Sequence, residues 1–172
     1  MRIIQKKICL LGDFAVGKTS LVRQFIEGRF DDKYHSTIGV KISRKTFSRP
    51  YGELHLLVWD LVGSSSGLPS VESSSYLHGA TGALIVCDLT RAESLTSLER
   101  YAHQMQKQDP NISLTLVANK VDLKAERLIS DADLKLISKA VGGGEFFLTS
   151  AKTGEQVEAA FLHLADQIEG QP

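Results

Sequence analysis

A chain of 172 residues with 42% hydrophobic content suits one domain with a sizeable core. Lys and Arg number 20 and so do Asp and Glu, so there is no electrostatic case for nucleic acid or anionic lipid as a default partner. Cys9 and Cys87, the only cysteines, sit in the apolar runs Ile8-Cys-Leu-Leu and Leu-Ile-Val-Cys87, and read as small buried hydrophobes rather than a disulfide or metal pair.

Residues 3–11 predict a first strand and residues 18–27 an amphipathic helix stopped by Gly28. Residues 29–40 are polar and turn-rich. Residues 40–47 alternate loosely, as an edge strand does. Pro50-Tyr-Gly52 is a turn, and His55–Trp59 predicts a strong strand, so residues 40–60 form a hairpin. Ser, Gly and Pro dominate residues 63–75, which predicts a mobile loop. Strands over 82–87, 113–118 and 145–148 then alternate with helices over 95–106, 130–140 and 157–168. Ser130 is a candidate cap for the second of these helices, and Gly142-Gly-Gly144 is a loop. Strands alternating with helices predict an α/β fold. The sheet carries helices on both faces and is mostly parallel, with one antiparallel edge from the hairpin.

The chemistry starts at Gly12-Asp-Phe-Ala-Val-Gly-Lys-Thr19, which fits G-x-x-x-x-G-K-[ST] between a strand and a helix. The turned backbone of Asp13, Phe14, Ala15, Val16, Gly17, Lys18, Thr19 and Ser20 would cradle phosphates at a helix N-terminus. Lys18 would reach the β- and γ-phosphates, and the Thr19 hydroxyl would ligate Mg²⁺. Asp60 follows a strand and would hold Mg²⁺ directly or through water. Gly63 leaves its N–H free to approach the γ-phosphate. Thr37 would coordinate Mg²⁺ and sense the γ-phosphate, Phe30 would lie over the base, and Tyr34 would close over the phosphates.

Asn119-Lys120-Val-Asp122 reads the base. Guanine presents N1–H and 2-amino donors on one edge; a carboxylate accepts both, whereas adenine would leave it unpaired. Asn119 would fix the loop and the Lys120 stem would cover the ring. In Ser150-Ala-Lys152, Ser150 would brace Asp122, the Ala151 N–H would donate to guanine O6, and the Lys152 stem would pack on the base.

Together these pieces make the chain resemble a small Ras-superfamily GTPase, closest to the Rab branch. The segments that carry the likeness are GDFAVGKTSLVRQFIEGRF, YHSTIGV, LLVWDLVG, SSSYLHGATGALIVCDLT, LTLVANKVDL and LTSAKTGEQVEAAF. The resemblance implies the P-loop NTPase fold, with a six-stranded mixed sheet flanked by helices, over 1–172 as a single domain. It implies GTP or GDP with Mg²⁺ as ligands, and switch segments at about 30–40 and about 60–78. It further implies an effector partner on the switches and strand 40–47, together with an exchange factor and a GTPase-activating protein.

The departures from that family sit around the attacking water. Ser64 stands where Rab relatives carry a water-orienting glutamine, and Ser65 replaces the following acid. Phe14 occupies a phosphate-loop position that is small in most relatives. Leu61 and Val62 replace a Thr-Ala pair. Lys18, Thr37, Gly63 and Ser64 are the candidate catalytic set, and slow GTP hydrolysis is expected of it. The alternative is a GTP-loaded scaffold that does not hydrolyse.

The opening MRIIQKKICLLG is too short in its apolar part for a secretory leader, and no run approaches membrane-spanning length. No cysteine follows Cys87, so this stretch of chain carries no prenyl anchor. A cytoplasmic location is expected, with membrane association through a lipidated tail outside this sequence or through a partner.

Overall fold

The computed structural model describes residues 1–33, 39–61, 63, 75–144 and 146–171. Within them run strand β1 (Arg2–Leu11), helix α1 (Lys18–Glu27) and the hairpin β2 (Val40–Arg49) and β3 (Gly52–Leu61). After these come β4 (Gly82–Asp88), helix α2 (Ala92–Gln108), β5 (Ser113–Asn119), helix α3 (Asp131–Ala140), β6 (Phe146–Thr149) and helix α4 (Val157–Glu169). The chain has the P-loop NTPase fold. Its six-stranded sheet runs β2-β3-β1-β4-β5-β6, and only the β2–β3 pair is antiparallel. The expected mobile loop over 63–75 falls almost wholly outside the described residues, as do Tyr34, Thr37, Val62, Ser64 and Ser65.

The strands outrun their sequence signals where cross-strand pairing continues past the apolar run. Pairing of β2 with β3 holds from Val40↔Leu61 to Arg49↔Gly52, so β3 begins three residues before His55. Helix α2 likewise starts at Ala92 rather than Leu95. Its first turn is polar and is held by the Ser94 hydroxyl, which donates to the Arg91 carbonyl at 2.7 Å and accepts from the Asp88 N–H at 2.9 Å. Ser130 caps α3 through a reciprocal box with Asp133.

Two cores flank the sheet. One joins Ile8, Leu10, Phe25, Leu54, Leu56 and Val58 to Phe161, Leu164 and Ile168 of α4, with the Phe25 and Phe161 rings stacked 4.1 Å apart. The other packs Cys9, Leu11, Ile85 and Cys87 against Leu98, Ala102 and Met105 of α2. Burial pushes both thiols up to about 12, so each cysteine acts as an inert hydrophobe.

Register is what builds the site. β1 ends at Leu11, beside β4, so the loop that follows emerges at the C-terminal edge of the sheet. Asp88 pairs with Asn119, and Asn119 with Thr149, which sets the loops after β4, β5 and β6 side by side on that same edge.

Candidate functional site

A cavity of about 330 Å³ opens on this edge. Phosphate-loop residues Phe14, Ala15, Gly17, Lys18, Thr19 and Ser20 line one side. Asn119, Lys120, Asp122, Ala151 and Lys152 line another, and Phe30 and Gly63 are also on the wall. Asp13, Val16 and Ser150 of the expected set lie behind this lining. Val16 is wholly buried in the core, and Ser150 is also inaccessible.

The loop is held by side-chain donors on its carbonyls. Lys18 Nζ donates to the Gly12 carbonyl at 2.8 Å and to the Asp13 carbonyl at 3.0 Å. Lys120 Nζ donates to the Ala15 carbonyl at 3.2 Å, and Asn119 Nδ2 to the Val16 carbonyl at 3.0 Å. Gly17, at φ 104°, makes the last contact possible: a Cβ there would lie 2.3 Å from Asn119 Nδ2.

The base-side residues form one bonded unit. Asn119 Oδ1 accepts from Thr149 Oγ1 at 3.1 Å and from the Ala151 N–H at 3.3 Å. Ser150 Oγ donates to Asp122 Oδ1 at 2.8 Å, which orients the carboxylate. Lys120, at φ 70°, pairs with buried Asp88 at 2.8 Å. Asp88 and Thr149 were not candidates from sequence. An acid closing the apolar strand Leu-Ile-Val-Cys-Asp88 was the available signal for the first.

At the opposite end, Thr19 Oγ1 donates to Asp60 Oδ2 at 2.5 Å, and Asp60 is fully buried. A hydroxyl and a carboxylate within one contact, at the start of a helix, fit Mg²⁺, which takes few protein oxygens and keeps the rest of its shell for phosphate and water. Gly63 lies against the phosphate loop so closely that a Cβ on it would stand 2.6 Å from the Phe14 Cα.

Asp13 faces away from the cavity. Its carboxylate accepts from Ser97 Oγ at 2.7 Å and Tyr101 OH at 3.0 Å, both on α2. The i, i+4 spacing of those hydroxyls on one helix face was the only sequence trace of this contact. Phe14 is 41% exposed and Phe30 36%, so the two rings stand at the cavity wall rather than in the core.

Burial pulls the Lys18 ammonium down to about 8, against the opposing attraction of Asp60 and Asp13 and with added repulsion from Arg91. Bound phosphates would hold the proton that the empty site gives up. Nucleotide affinity should therefore fall by about tenfold per pH unit above pH 8, because binding must then take up a proton. Between pH 8 and 10.5 the unfolded chain binds more protons at this lysine than the native one. The nucleotide-free protein should therefore gain stability over the window in which it loses affinity. GDP titrations and nucleotide-free melts from pH 7 to 10 check both slopes; affinity flat across that range would contradict them.

A cavity built from a phosphate loop, a hydroxyl–carboxylate pair and a braced Asn-Lys-x-Asp loop agrees with what comparison by sequence finds. The Ras family model matches residues 7–170. Ras-related protein Rab5 of Nicotiana tabacum is 34% identical over 167 residues, covering 96% of this chain and 82% of its own. Ras-related protein Rab-5A of Dictyostelium discoideum is 33% identical, covering 99% of this chain and 84% of its own. The GTP-binding nuclear protein GSP1 of Encephalitozoon cuniculi is 34% identical, covering 99% of this chain and 79% of its own. With a matching model over nearly its whole length and an Asn-Lys-x-Asp loop bonded to its phosphate loop, this GTP-binding switch belongs to the Ras family of small GTPases.

Proposed function

We propose that the protein is a Rab-type switch that binds GTP or GDP with Mg²⁺ and hydrolyses GTP slowly. The observation that carries the slow step is the close approach of Phe14 to Gly63, the residue that precedes Ser64 in the sequence. Phe14 lies at the cavity wall with its backbone against Gly63, one residue before a serine that takes the place of a water-orienting glutamine.

In this reading Lys18 binds the β- and γ-phosphates and gives up its two loop carbonyls to do so. Thr19, Asp60 and Thr37 would hold Mg²⁺, with Thr37 added from its place in the sequence pattern. When bound, the metal neutralises charge developing on the phosphate oxygens. The loop N–H groups would face the same oxygens and would need no reorganisation as the γ-phosphoryl group leaves. A serine hydroxyl is too short to accept from the attacking water and donate to the phosphate at once, so the water is less well placed in line.

Single-turnover hydrolysis of bound GTP tests this. Ser64→Gln and Phe14→Gly together should speed hydrolysis by roughly 10–100-fold, with Phe14→Gly alone giving part of the gain. A wild-type rate equal to that of the double variant would sink the proposal. The scaffold reading takes over if neither variant nor wild type turns over GTP while all three bind it.

For partners, the reading places effector contact on edge strand β2 and the switch segments. Among the described residues β2 has one unpaired edge, and Ile42 on it is 52% exposed.

A further inference from the structure

Each of the five carbonyls from Gly12 to Val16 accepts from a side-chain donor. A trans peptide points its C=O and the next N–H in opposite directions, so a donor gripping one carbonyl from outside turns the following N–H into the cavity. Lys18, Asn119 and Lys120 grip four of the five carbonyls and belong to the nucleotide motifs. The fifth, that of Phe14, is held by Arg91 Nη1 at 2.6 Å, across 77 residues of sequence. No motif claims Arg91.

The peptide that Arg91 holds is the one that most needs holding. Ala15 sits at φ 63°, in the left-handed region that a residue with a Cβ seldom adopts. Arg91 stands just ahead of α2 in extended backbone, and its Nε is steadied by Glu93 at 3.2 Å. Two turns along the same helix, Ser97 and Tyr101 hold the Asp13 carboxylate. Helix α2 therefore grips two consecutive residues of the phosphate loop, at the end where Gly63 meets Phe14.

We propose that Arg91 is a positioning residue for the triphosphate end of the site. By fixing the Phe14 carbonyl it aims the Ala15 N–H at the phosphates, and it adds a positive charge that favours GTP over GDP. The inference rests on the GTP-binding reading.

The test compares wild type with Arg91→Ala and Arg91→Lys, using competition titrations of GTPγS and GDP and the Ala15 amide resonance. Arg91→Ala should weaken GTPγS about tenfold more than GDP and remove the ligand-induced shift of the Ala15 amide. Arg91→Lys, which keeps a charged donor, should restore most of both. Equal weakening of the two nucleotides, with the Ala15 shift intact, would overturn the proposal by reducing Arg91 to a buttress. So would unchanged constants. Failure of the wild type to bind guanine nucleotides would strike the binding reading instead. In that case the nucleotide-free Ala15 amide would still have to move on Arg91→Ala, or the positioning role fails as well.

Discussion

Replacing Asp122 with Asn should cost guanine nucleotides on the order of 10³-fold in affinity and make xanthine nucleotides the better ligands. The carboxylate lies at the cavity wall, held through one oxygen by Ser150 Oγ at 2.8 Å. Guanine offers it two donors, and charged hydrogen bonds of this kind contribute about 1.5–3 kcal/mol each. Asparagine keeps one acceptor but turns a donor toward the guanine 2-amino group, so one bond is lost and two donors face each other. Xanthine carries a carbonyl at that position and accepts the new donor. The size of the effect follows from leaving buried polar groups unpaired, which discriminates far more strongly than loss of apolar contact. Competition by GTP, XTP and ATP against a fluorescent guanine nucleotide measures it. An unaltered preference for guanine would remove Asp122 from the site.

Lys18→Met should weaken GTP and GDP by at least about 10²-fold while leaving the nucleotide-free protein close to wild-type stability. The first half follows from removing the charge-assisted bonds to phosphate. The second follows from what the lysine costs when the site is empty. It is 6% exposed, and burial pulls its ammonium down to about 8, which corresponds to roughly 3 kcal/mol of unfavourable burial near neutral pH. Its two bonds to the Gly12 and Asp13 carbonyls return a similar amount at about 1.5 kcal/mol each. Methionine matches the stem in volume and removes both terms together. Denaturant unfolding without nucleotide, beside nucleotide titration, separates them. A large loss of stability with binding retained would mean that Lys18 serves the fold rather than the phosphates.

Much of this molecule was legible because its signals are local. The α4 face of Val157, Ala160, Phe161, Leu164 and Ile168 announces itself by spacing, and all five are buried. Ser130 reads as a cap from its neighbours, and the box with Asp133 is there. Asn119 and Asp122 are three residues apart, at the end of β5 and in the turn that follows, so their chemistry could be read together. What stayed hidden depends on register between distant segments. Arg91 looks like a surface residue ahead of a helix until α2 packs on β4 and brings its guanidinium to Phe14. Asp13 looks like a ligand of the site by its place in the motif. Only the arrival of Ser97 and Tyr101, 84 and 88 residues later, turns its carboxylate away. Helix α2 was read short for a related reason: its apolar period begins at Leu95, whereas its first turn is closed by a hydroxyl on Ser94.

The stacking of Phe161 on Phe25 also governs when this chain can acquire its structure. The core beneath β1, β3 and α1 draws on residues 8–58 and on Leu84, Val86 and Val117, yet Phe161, Leu164 and Ile168 complete it from α4. Of the segments that build this core, α4 is the last to leave the ribosome, so Ile8, Phe25, Leu54 and Leu56 lack its cover until residues 157–169 have been made. The α4 segment thus acts as the closing step of assembly. Truncation ahead of it should yield a chain that collapses and aggregates instead of a smaller folded domain.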